Sequence, residues 1–118
     1  NICQNNYDSS SVENMKHFDQ IEDELEEMVA LLESWVSINS HSENLLGIQN
    51  LIAKVTNAFA LLEPDSVDII EGRGLFFQKR KTAPLQIYLG GHLDTVFSKS
   101  SHFQKAKRLD KETLQGPG

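Results

Sequence analysis

Apolar residues recur at three- and four-residue steps twice in the first half of the chain. Met15, Phe18, Ile21, Leu25, Met28, Leu32 and Trp35 share one face, and Glu22, Asp23, Glu24, Glu26 and Glu27 occupy the rest, which predicts an amphipathic helix with a solvated acidic side. Ser37-Ile38-Asn39-Ser40-His41-Ser42 interrupts the pattern with small polar residues and ends in a good N-cap. Leu45, Ile48, Ile52, Val55, Phe59 and Leu62 then predict a second amphipathic helix, closed by Pro64. Ahead of both, residues 1–11 read as a polar leader that ends near the capping-box pattern Ser10-Ser11-Val12-Glu13.

The second half changes to strand-like runs. Val67-Asp68-Ile69-Ile70 predicts a short strand, Gly72-Arg73-Gly74 a turn, and Leu75-Phe76-Phe77-Gln78 another strand. Leu85-Gln86-Ile87-Tyr88-Leu89 is the most apolar run. It predicts a strand buried in the middle of a sheet, joined to the preceding strand by a hairpin across Lys79 to Pro84. After a polar loop from Ser98 to Gln104, Lys107-Arg108-Leu109 and Thr113-Leu114-Gln115 predict two short strands about an Asp110-Lys111-Glu112 turn. Two helices followed by strands, without strict alternation, indicate the α/β class with a mixed sheet. The helical stripes are expected to pack on that sheet and to bury Trp35, Leu51, Ile52 and Phe59.

Composition narrows the function. The 118 residues suffice for one domain of modest size, and 39% hydrophobic with 24% charged content is ordinary for a soluble globular protein. A net charge of −6 opposes electrostatic binding to nucleic acid or an anionic membrane. The basic clusters Lys79-Arg80-Lys81 and Lys105 to Lys111 adjoin turn-like sequence and read as solvated hairpin ends. The single cysteine, Cys3, excludes an internal disulfide and a Cys-based zinc site. No run approaches the length of a transmembrane helix, and the start lacks the layout of a secretion signal. The expected compartment is the cytoplasm, with a periplasmic or secreted protein left open if a signal was removed upstream. The opening at Asn1 and the Gly-Pro-Gly ending read as a piece of a longer protein.

The candidate chemistry lies in Leu89-Gly90-Gly91-His92-Leu93-Asp94-Thr95-Val96-Phe97. In an extended backbone residues i and i+2 point the same way, so Asp94 can reach the ring nitrogen of His92 that a metal leaves free, fixing the tautomer. The paired glycines allow the backbone to turn into a cleft. The bland alternative is a structural His at a strand end and an Asx-turn at Asp94. Thr95 is expected to hydrogen-bond the loop backbone, with Val96 and Phe97 packed beneath it. His17, His41 and His102 read as uninvolved. There is no Gly-x-Ser-x-Gly elbow, phosphate loop or His-Glu-x-x-His helix, so nucleophilic catalysis has no candidate.

Gly91-His92-Leu93-Asp94-Thr95-Val96-Phe97, followed by Gly116-Pro117-Gly118, resembles the dizinc metallopeptidase family of glutamate carboxypeptidases, aminoacylases, acetylornithine deacetylases and succinyl-diaminopimelate desuccinylases. The order of elements matches loosely along almost the whole chain, and residues 90–97 and 114–118 match specifically. The resemblance implies the N-terminal part of a zinc-exopeptidase-like domain over residues 12–118, with a central twisted sheet. It makes His92 a ligand to one of two zinc ions (cobalt or manganese being possible substitutes) and Asp94 the catalytic residue that orients it. The Asp bridging both ions would be the third residue past Gly118, with the other ligands and the general-base Glu further on. A lid and dimerisation domain is absent, so a homodimer would form through a part not present.

The implied activity is zinc-dependent hydrolysis of an amide or peptide bond in an N-acyl amino acid or small peptide, with the wording closest to the glutamate carboxypeptidase branch. The substrate is a small molecule, with no nucleic-acid or membrane partner, and the fragment alone is expected to be inactive. Two alternatives stay open: a non-catalytic family member, and an interaction module built on the helical hairpin.

Overall fold

A computed structural model of the chain describes residues 21–117. The leader, the Ser10-Glu13 cap, Met15 and Phe18 therefore lie outside the described residues. The chain divides into two compact units, Asn1–Leu32 and Glu33–Gly118. The described elements are helices α1 (Leu25–Val36) and α2 (Leu45–Phe59), a 3-10 turn (Ala60–Leu62), and strands β1 (Ser66–Ile70), β2 (Gly74–Gln78), β3 (Lys107–Arg108) and β4 (Leu114–Gln115). This is a mixed set of helices with two small antiparallel sheets, one of β1 and β2 and one of β3 and β4.

The core is centred on α2. Ile48, Leu51, Ile52 and Val55 are buried, with Ile48 only 2% exposed, because steps of three and four bring all four to one side of the helix. Asn44 caps the helix, its side chain accepting from the Gly47 N–H, so the cap falls two residues later than Ser42. At the other end the 3-10 turn and the left-handed Glu63 (φ 49°) end the helix before Pro64, as the sequence requires. The span Leu45–Leu62 is long and apolar enough to cross a membrane by length and composition, which corrects the expectation that no run approaches that length. Ile48, Leu51, Ile52 and Val55 of this span are buried, while Leu46, Leu61 and Leu62 are exposed.

Three further expectations are corrected here. The first concerns Leu85–Leu89, which forms no strand and is not buried. Leu89 is 90% exposed, and Leu85, Ile87 and Tyr88 are nearly as open. No hairpin joins this segment to β2. Instead β2 pairs with β1 in the register Ser66↔Gln78 to Ile70↔Gly74, across a turn in which Glu71 (φ 51°) and Gly72 (φ 67°) are both left-handed. That loop is shorter than the one over Lys79 to Pro84, and short closure costs less entropy. Secondly, the mixed sheet is not found among the described residues, where the strand ladders are all antiparallel.

The third correction concerns the helical stripes. No residue of α1 is buried, and Leu25 and Met28 are each 51% exposed. Trp35 is half-buried. Phe59 is 38% exposed and covers itself by stacking on Phe77, with ring centroids 4.9 Å apart. Only Leu51 and Ile52 of the four expected core positions are fully buried. The β3–β4 hairpin forms where the sequence places it, with Lys107 opposite Gln115 and Arg108 opposite Leu114.

Candidate metal centre

The His92 segment is reached through a single backbone attachment. Thr95 donates its N–H to the Ser40 carbonyl at 2.9 Å, and its own carbonyl accepts from the Ser42 N–H at 3.1 Å. This parallel bridge of His41 with Thr95 ties the motif to the loop between α1 and α2. That loop is itself well held, since Ser40 is buried and the Asn39 side chain donates to the Phe97 carbonyl at 3.0 Å and to Gln104 Oε1 at 2.7 Å. By contrast, no backbone-to-backbone hydrogen bond reaches any of residues 84–94 among those described; Gln86 is tethered by its side chain, which donates to the Arg80 and Ala83 carbonyls at 3.0 Å each.

His92 and Asp94 do lie on the same side of the chain, as their spacing predicts. His92 Nδ1 is 3.7 Å from Asp94 Oδ1, longer than a hydrogen bond and within ion-pair range. The His92 side chain is 95% exposed, neither in a helix nor facing a closed apolar core. Its Nε2 is consequently presented to solvent. The other carboxylate oxygen, Asp94 Oδ2, accepts from Ser42 Oγ at 2.7 Å. That hydrogen bond is the chief cause holding the Asp94 carboxyl below its ordinary range; partial desolvation opposes it, and the residue's own amide and the nearby His92 add to the lowering.

Ser42 is a participant that sequence reasoning missed. It is 52 positions from Asp94, and no spacing rule connects residues across such a distance. A third chain segment also arrives here, because Arg73, at the β1–β2 turn, donates through Nη1 to the Ser42 carbonyl at 2.8 Å.

Several local expectations change. Thr95 bonds the loop through its backbone, Val96 is exposed rather than packed beneath the motif, and Phe97 meets Phe103 edge to face at 5.1 Å. Neither of the paired glycines has positive φ; a methyl at Gly90 would press on the Tyr88 ring, and one at Gly91 would meet nothing within 4 Å. In the second part of the motif, Gly116 lies close against Val36, while Gly118 is outside the described residues. His41 accepts at Nδ1 from the Glu43 N–H at 3.4 Å.

As a metal site the described residues are partial. They include no group of three or more His, Cys, Asp or Glu side chains placed to hold an ion, whereas a catalytic zinc normally takes three protein ligands. The pair fits one part of such a site, a solvent-facing imidazole nitrogen with a carboxylate behind the ring. Comparison with protein-family models, with curated proteins and with solved structures finds nothing that matches this chain.

Proposed function

We propose that this chain contributes to the catalytic domain of a zinc-dependent hydrolase acting on an amide or peptide bond of an N-acyl amino acid or small peptide. The observation that carries the reading is the pairing within Gly91-His92-Leu93-Asp94-Thr95-Val96-Phe97, an outward imidazole backed by a carboxylate 3.7 Å away. Two zinc ions, when bound, lower the pKa of a shared water and polarise the scissile carbonyl. His92 would hold one of them through Nε2, and Asp94 would keep the ring oriented and its Nδ1 protonated. The remaining ligands and the proton-transferring group come from residues other than those described.

The test is hydrolysis of N-acyl amino acids and dipeptides by full-length protein, chelated and then resupplied with zinc. His92→Ala abolishes metal-dependent turnover on this reading; unchanged turnover in that variant rejects it.

A second reading is an interaction module, favoured by the exposed stripe of Leu25, Met28 and Leu32 on α1. It predicts that Leu25→Lys with Met28→Lys abolishes an association measurable by analytical ultracentrifugation. On the hydrolase reading alone, the same pair leaves turnover and sedimentation unchanged.

A further inference from the structure

The geometry points to Ser42 as a positioning residue for His92, acting through the Asp94 carboxylate. This rests on the reading of His92 as a metal ligand and extends it to a residue on a different loop. The His92–Asp94 pair sits on a segment with few anchors. Residues 84–94 make no backbone-to-backbone hydrogen bond among those described, and the ring itself is 95% exposed. The nearest fixed backbone point is Thr95, and within its own residue the Asp94 carboxylate has its amide to hold it, so a lasting orientation needs an anchor from another segment. Ser42 supplies that anchor at 2.7 Å.

Ser42 is suited to the task because it is immobilised on three sides. Its N–H is bonded to the Thr95 carbonyl at 3.1 Å, its carbonyl accepts from Arg73 Nη1 at 2.8 Å, and two residues later Asn44 caps α2, whose buried face is the core. A hydroxyl carries one proton. The alternative acceptor, the Thr95 carbonyl, is 3.5 Å from Oγ, so the shorter contact to Asp94 takes it. With Oδ2 engaged, Oδ1 stands 3.7 Å from Nδ1 of His92, and closing that gap to a hydrogen bond is the step Ser42 would assist. That contact favours the proton on Nδ1 and leaves the Nε2 lone pair outward, the form a metal takes up. Arg73 acts one step back, fixing the backbone from which Ser42 reaches.

The test reads the tautomer directly, with no metal and no turnover. Long-range proton–nitrogen NMR spectra of the 118-residue chain at about pH 8.5, where imidazoles are neutral, should show His92 mainly protonated on Nδ1. Ser42→Ala should shift the population toward Nε2–H, Asp94→Asn should do the same, and Ser42→Thr should restore the original form, while the methyl signals of Ile48 and Ile52 certify the core. A wild-type His92 already protonated on Nε2 overturns the proposal without any variant, and so does a tautomer unchanged in a folded Ser42→Ala. In the full-length protein, Ser42→Ala should weaken zinc binding about 10- to 100-fold in a chelator competition, with Ser42→Thr close to wild type. The two readings fail separately. Normal hydrolysis in His92→Ala removes the hydrolase while leaving the tautomer result standing, and an unmoved tautomer removes the Ser42 role while leaving the hydrolase.

Discussion

Gly47 lies so close to the carbonyl of Asn39 that a methyl group at Gly47 would overlap its oxygen, and the Asn44 amide nitrogen as well. The first turn of α2 and the loop carrying Ser42 therefore meet backbone to backbone. Asn44 reinforces the contact, donating to the Asn39 carbonyl at 2.5 Å while its oxygen caps the Gly47 N–H at 3.3 Å. Gly47→Ala should thus destabilise the chain by about 1–3 kcal/mol, the range for overpacking, although Ala is the better helix former by about 1 kcal/mol. Denaturant unfolding of the purified chain measures it, and a more stable Ala variant contradicts the close approach.

Ile48 and Phe59 should respond unequally to truncation. Ile48→Ala removes a side chain only 2% exposed and should cost about 2–5 kcal/mol. Phe59→Ala removes a ring that is 38% exposed and chiefly stacks on Phe77, so its cost should fall below the roughly 3–5 kcal/mol typical of a buried Phe. Equal losses in denaturant unfolding would place Phe59 deeper than the fold does.

Asp110 gives the β3–β4 hairpin a pH dependence of known sign. Its carboxyl is held below the ordinary range, first by the Glu112 amide, which it binds at 2.9 Å, and then by the Thr113 hydroxyl. The folded pKa lies under the unfolded one, so the unfolded state binds more protons as pH drops. The stabilisation is complete above the unfolded pKa and disappears as pH falls through the folded one. Amide exchange at Leu109 and Glu112 should accelerate over that acidic window beyond the chemical rate, and Asp110→Asn should flatten the response.

The exposed run offers a surface test. Tyr88 and Leu89 are 82% and 90% exposed, so Leu89→Lys should change the stability of this chain by no more than about 0.5 kcal/mol while lowering any tendency to self-associate. A loss of several kcal/mol in thermal unfolding would return the segment to a buried strand.

By itself the sequence determined the features that depend on neighbours. The three- and four-residue steps around Ile48, Ile52 and Val55 made α2 and its buried face legible, Pro64 marked its end, and the Asp110-Lys111-Glu112 turn located the β3–β4 hairpin. The same local logic put His92 and Asp94 on one side of an extended backbone. Tertiary structure decided everything that needed a distant partner. Periodicity shows which residues share a face but not what covers them, so Leu25, Met28 and Leu32 of α1 and the Leu85–Leu89 run read as core and are exposed. Strand propensity likewise does not choose a partner; the short, left-handed turn at Glu71 and Gly72 gave β2 to β1. Ser42 reached Asp94 from 52 residues away, because the parallel bridge at Thr95 and the hold of Arg73 on the Ser42 carbonyl exist only once three separate segments have folded together.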